Sequence, residues 1–276
     1  CCGLTNYAKV LGPGAALDPS KIPYPKMLVF RTNDNNGTSD YHGLQFKAEK
    51  RFSKGLSFLF SYTWSKSIDL ACSGYIGAEG CNMQQPYNVQ ADRGPSAYDL
   101  THISNIAFVY ELPFGRGKPV NISNYFLNLA AGGWRSSGIL RFRSGQALTP
   151  ILAVDRANNG GSQQRPNVVG DTGLASQNRL AWFNTQAFAL PAQYTYGNAG
   201  RAILRGPAVA SQDLSLFKDF QLIGESLRVQ FRADLLNAFN HPILGNPGAT
   251  FDTAAFGQIS SASGNRTVQL ALKVLF

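Results

Sequence analysis

The last eleven residues, RTVQLALKVLF, constrain this chain more than any other stretch. Val268, Leu270, Leu272, Val274 and Phe276 fall on one parity, and Thr267, Gln269, Ala271, Lys273 and Leu275 on the other. Side chains alternate between the two faces of a strand, so one face here is wholly apolar and the other mostly polar. Two environments suit such a strand. One is the wall of a membrane-spanning barrel, with lipid on the apolar side and a lumen on the polar side. The other is the half-buried edge of a soluble sheet.

Composition narrows the choice. Charged residues are 15% of the chain, against roughly 25% in soluble domains. Aromatics are abundant, with 18 Phe, 11 Tyr and 3 Trp. No stretch approaches the ~18 consecutive apolar residues that a membrane-crossing helix needs. Aromatic richness and low charge without apolar runs fit alternating strands, as does a mean hydropathy of −0.14. The net charge of +9 admits nucleic acid or an anionic ligand as a partner. Lys and Arg are scattered rather than gathered in one stripe, which argues against nucleic acid.

Parity recurs along the chain. Strands are predicted over 41–52, 56–66, 99–113, 134–144, 211–220, 227–237 and the terminus, with a shorter one near 26–32 making eight. Segment 1–40 is a lead-in, and 41–276 is one β unit. Ser53-Lys54-Gly55 is a tight turn, with Gly placed for a positive φ. The connections alternate between short, as at 53–55 and 221–226, and long, as at 67–98, 145–210 and 238–265. Transmembrane barrels have short periplasmic turns and long outer loops. By this rhythm every short link lies on the side of the C-terminus, which is therefore expected to be periplasmic. Sixty-odd residues without regular structure would be anomalous in a compact soluble domain. The expected fold is all-β: seven or eight meandering antiparallel strands of a transmembrane barrel, with long extracellular loops.

Charge placement agrees. Arg135, Arg141, Arg143, Arg228, Gln230, Arg232 and Asp234 oppose the apolar parity and are candidate lumen residues. Arg facing lipid at mid-membrane costs about 2–4 kcal/mol. Tyr62, Trp64, Tyr110 and Trp134 lie near strand ends, where interfacial aromatic girdles sit.

Enzyme signatures are missing. His42, His102 and His241 are far apart, and there is no G-x-S-x-G elbow, H-E-x-x-H or Walker loop. Asp155 with Asn158 and Asn159 matches no calcium-loop spacing, so a solvated loop is the better reading. No metal, cofactor or catalytic residue is expected. Cys72 and Cys81 flank SGYIGAEG and can close a small loop if the compartment is oxidising. Cys1 and Cys2 are neighbours, unsuited to bonding each other. The absence of a starting Met or signal peptide leads us to expect a chain that begins mid-protein.

YHGLQFKAEKRFSKGLSFLFSYTWSKSID (41–69) resembles a hairpin of TonB-dependent outer-membrane receptors, in the Oar-like branch that carries a carboxypeptidase-regulatory-like domain. The resemblance continues through ELPFGRGK (111–118), GWRSSGILRFRSGQALT (133–149), QRPNVVGD (164–171) and WFNTQAFALP (182–191). It runs on through YGNAGRAILRGP (196–207), DLSLFKDF (213–220), RADLLNAFNHPILGNP (232–247) and the terminal strand. Each motif is short; nine in order carry the likeness, from about Tyr24 onward.

The resemblance implies a larger barrel of about 22 strands filled by the protein's own N-terminal plug and energised through TonB. This chain would supply its C-terminal third. The implied partners are outer-membrane lipid, that plug, the TonB system, the outer-membrane assembly machinery, and a small-molecule, glycan or peptide ligand. The lumen arginines would pair with wall or plug carboxylates or attract an anionic ligand. Val268, Leu270, Leu272, Val274 and Phe276 would carry the assembly signal. A small complete barrel, or an adhesin-like surface protein binding glycans, is the alternative function.

Overall fold

The computed structural model describes residues 2–4, 30–32, 37–70, 84–85, 88–157, 164–223 and 227–276. Seven long strands form its main sheet: β1 (Ser39–Ser53), β2 (Leu56–Asp69), β3 (His102–Glu111), β4 (Trp134–Arg143), β5 (Val209–Ile223), β6 (Leu227–Leu236) and β7 (Thr267–Leu275). They pair in chain order and every pairing is antiparallel, an up-and-down meander. The two-residue strand Gly94–Pro95 adds an eighth member against the end of β2. The strand expected near 26–32 is described only at Phe30–Thr32. It pairs with Cys2–Leu4 in a separate two-stranded sheet and does not join the main one.

Register carries the parity of each strand across the sheet. Ala48, Phe60, Ile106 and Leu140 are successive cross-strand partners. Leu216, Ala233 and Leu270 continue the same face through β5, β6 and β7. Directly opposed residues share a face, so one surface of the sheet is predominantly aliphatic and aromatic. Leu270 is 69% and Leu272 72% exposed. A soluble sheet buries such a face against a second layer; in a membrane-spanning barrel it meets lipid.

The height of this apolar face can be read from the register. Trp64 opposes His102 at one end of the β2–β3 pair, and Leu56 opposes Tyr110 at the other. Those eight steps span about 27 Å along the strand at ~3.4 Å per residue, or about 19–22 Å of height at the ~35–45° tilt of barrel strands, which lies within the ~25 Å apolar band of outer-membrane barrels. Aromatics mark both ends. Tyr62 and Trp64 lie toward the long loops, and Tyr62 Oη makes a 2.8 Å hydrogen bond with His102 Nδ1. Tyr110 and Trp134 lie toward the short turns.

The turn between β1 and β2 has positive φ at both central residues, Lys54 (53°) and Gly55 (79°). That is the geometry whose twist matches a tight hairpin.

The sheet is strongly curved. Flat, its first and last strands would lie about 29 Å apart at ~4.8 Å per strand. Instead one concavity of about 920 Å³ is lined by Lys47 and Glu49 of β1 and by Arg232, Asp234 and Gln269 of β6 and β7. Among the described residues no pairing joins β1 to β7, so both edges keep unpaired backbone groups.

Candidate functional site: the polar face and the loop layer

The concave surface holds the residues of opposite parity. The meander places Arg135, Arg141 and Arg143 on β4 beside Asp213 and Asp219 on β5, and Arg228, Gln230, Arg232 and Asp234 follow on β6. Arg135 pairs with Asp219, which also accepts a 2.8 Å hydrogen bond from Gln230 Nε2. Arg232 pairs with Asp234 at 2.9 Å, and Ser215 Oγ donates to the same carboxylate. Arg141 lies 3.9 Å from Asp213. Arg143 and Arg228 form no ion pair among the described residues. Among the described residues, β4 and β6 thus have three arginines neutralised by the wall and two left exposed on the polar side.

Sequence reasoning missed Asp213 and Asp219 as the partners of these arginines. Both lie on the arginine parity, and that was the available signal. Phe217 was also unforeseen: it shares this face, with the Arg135 guanidinium 4.7 Å from its ring centre.

The described residues of the long connections interlock into one layer at the β2, β4 and β6 ends of the sheet. Short strands tie them together: Ala147–Leu148 with Leu204–Arg205, Asn167–Val168 with Phe188–Ala189, and Ile151–Leu152 with Thr250–Phe251. Their core is Phe183, Ala187, Phe188, Leu204 and Phe256. Phe256 meets Phe183, Phe188 and Phe251 edge-on, with centroids 5.0–5.3 Å apart, a favoured aromatic geometry.

Three Arg–Asp pairs tie the connections to one another and to the end of β2. Arg165 pairs with Asp92, and both side chains are at most 7% exposed. Arg201 pairs with Asp69 at the end of β2 and donates to the Gly94 carbonyl at 3.0 Å. Arg205 pairs with Asp99 and donates to its carbonyl at 3.0 Å. Gln84 reinforces them, donating to Gly197 O at 2.8 Å and accepting from Arg165 N at 2.6 Å. Asp69, Asp92 and Asp99 are thus structural pins. Asp155 accepts a hydrogen bond from Gln164.

Asn158, Asn159, Cys72 and Cys81 lie outside the described residues. Among the described residues no cluster of His, Cys, Asp and Glu is suited to a metal, and no helix is long and apolar enough to cross a membrane.

Close backbone approach also builds the layer. A Cβ at Gly145 would lie 1.8 Å from the Gly206 carbonyl oxygen, where the two limbs of the β4–β5 connection meet. Gly145→Ala is therefore expected to force the limbs apart, at about 1–3 kcal/mol. Limited proteolysis of the intact protein checks this: cleavage within 145–208 should accelerate, and an unchanged rate would contradict the packing described.

A lipid-facing wall, a curved polar face and a loop layer at one end are what a membrane barrel requires. A family model described as an outer membrane beta barrel domain matches residues 5–269. The chain belongs to that family. No curated protein and no solved structure shows a match to it. As an outer membrane β-barrel domain, the chain resides in the bacterial outer membrane. The match includes the loop layer and most of the seven strands, and ends within β7.

Proposed function

We propose that this domain is the C-terminal part of a TonB-dependent receptor of the Oar-like branch, forming barrel wall and extracellular loops for ligand uptake. Its polar face lines the import path, its C-terminus is periplasmic, and it performs no catalysis and carries no cofactor. The observation that carries this reading is the pair of open edges. Seven strands curl toward each other, yet among the described residues β1 and β7 present unpaired backbone groups that a barrel must satisfy. Further strands on the same chain, as in a barrel of about 22, would pair both. The nine sequence motifs point to the same class.

In such a receptor Arg143 and Arg228 are free to meet plug carboxylates or an anionic ligand, because the wall leaves them without ion-pair partners among the described residues. Arg143→Glu with Arg228→Glu in the full-length receptor should loosen the plug, read as faster proteolysis of the plug with the barrel still folded. Unchanged plug protection would remove that role.

Reading the coding sequence upstream of Cys1 tests the class itself. A plug domain followed by further barrel strands is expected. A secretion signal directly ahead of Cys1 would overturn the proposal.

A further inference from the structure

The connection between β3 and β4, on the short-turn side, contains the only α-helix among the described residues, α1 (Tyr125–Ala131, YFLNLAA). Its polarity is inverted relative to a helix of a soluble protein. Asn128, its one polar residue, turns inward: Asn128 Oδ1 accepts a 3.0 Å hydrogen bond from Arg116 N in the preceding turn. Tyr125, Phe126, Leu127 and Leu129 all face outward, Phe126 at 77% exposure. The turn adds exposed Phe114 and Val120 to the same connection.

The helix is fastened to the sheet from the apolar side. Trp134 Nε1 donates to Ala130 O at 2.8 Å. Lys218 Nζ donates to Leu129 O and to Ala130 O, the latter at 3.3 Å. Trp134 and Lys218 are cross-strand partners on the apolar parity, and Phe231 is the next partner on the same row. Trp134 meets Phe231 edge-on at 5.9 Å, and the Lys218 ammonium lies 4.9 Å from the Phe220 ring centre. The Lys218 ammonium, on the lipid-facing parity, is thus capped by helix C-terminal carbonyls, which favour a cation there. Its aliphatic stem stays among aromatic rings. The apolar surface of the helix is continuous with the apolar band of the wall at its girdle.

We propose that α1 is a membrane foot, a short interfacial helix whose Tyr125, Phe126 and Leu127 enter the boundary between acyl chains and headgroups on the short-turn side. Three observations select lipid as the occupant. The exposed side chains are apolar and aromatic, as interfacial segments require. They continue a surface that meets lipid. The exposed Arg116 beside the helix suits anionic phosphates. The foot would fix how deep the wall sits, because β4 and β5 both hold it. It rests on the apolar face meeting lipid and is independent of the receptor reading.

The test uses tryptophan quenching in the intact protein, reconstituted in phosphatidylcholine vesicles brominated near the headgroup end of the acyl chains. Phe126→Trp probes the foot, Leu270→Trp the lipid face of β7, and Val169→Trp the solvent-exposed loop layer. Each signal is read as the difference from the parent. Several-fold stronger lipid quenching is expected for Phe126→Trp and Leu270→Trp than for Val169→Trp, with aqueous iodide giving the reverse order. Tyr125→Trp should repeat the Phe126→Trp result if that variant folds poorly. Quenching of Leu270→Trp but not of Phe126→Trp or Tyr125→Trp would overturn the foot alone. Quenching of none of them would overturn the foot together with the lipid face.

Discussion

Asp92→Ala is expected to unfasten the loop layer without unfolding the sheet. Removing one partner of a buried ion pair costs about 3–5 kcal/mol, because the remaining charge stays out of water. Here the stranded group is the Arg165 guanidinium, 4% exposed, left with a single neutral acceptor, Ala91 O at 3.1 Å. Exchange of the backbone amides near 89–93 and 165–168 should then accelerate roughly a hundred- to several-thousand-fold, since each 1.4 kcal/mol is about a factor of ten. Amides in the middle of β3 and β4 should keep their protection.

Two comparisons show whether burial is the cause. Asp40 also pairs with an arginine, Arg93, but both side chains are about half exposed. An exposed pair is worth at most about 1 kcal/mol, so Asp40→Ala should leave exchange nearly unchanged. Replacing both members, as in Asp92→Leu with Arg165→Met, removes the stranded charge and should recover much of the protection. If Asp92→Ala and Asp40→Ala behave alike, the layer is not held by its buried pairs.

The strands were legible because period two is a local property. Leu56, Phe58, Phe60, Tyr62 and Trp64 define a face whatever the partner strand is, and the structure keeps them on one side. The strand ends shifted, as β5 did in extending to Val209–Ile223, because pairing with β4 at its start and with β6 at its end recruits residues of no clear parity. The loop layer was not legible. Arg201 and Asp69 are separated by 132 residues, and Arg205 and Asp99 by 106. Nothing local distinguishes these buried carboxylates from solvated ones. Phe183, Phe188 and Phe256 likewise form a core only once two connections meet.

The helix α1 escaped for a different reason. Seven residues give too few turns for a period to emerge, and an isolated helix of that length is unstable in water. Its stability comes from Asn124 at its start, which accepts from Leu127 N at 3.1 Å, and from Trp134 and Lys218 at its end. Of the lumen residues, the sequence supplied the face but not the register. It could not say that Arg135 meets Asp219 while Arg143 meets no carboxylate of the described wall.

The central claim is that the sheet has a lipid face and a lumen face, assigned by parity. Leu59 and Phe60 test it most directly, because they are adjacent, apolar and central in β2. Hydropathy alone treats them alike. By register Phe60 lies on the apolar face between Ala48 and Ile106, whereas Leu59 lies on the polar face between Glu49 and Ala107. Phe60→Arg should cost about 2–4 kcal/mol near the membrane midplane. Leu59→Arg should be tolerated, with Glu49 as a neighbour. The measurement is the fraction of heat-modifiable, folded full-length protein in isolated outer membranes. The account predicts a sharp fall for Phe60→Arg and near-parental levels for Leu59→Arg; equal losses, or the reverse order, would contradict it.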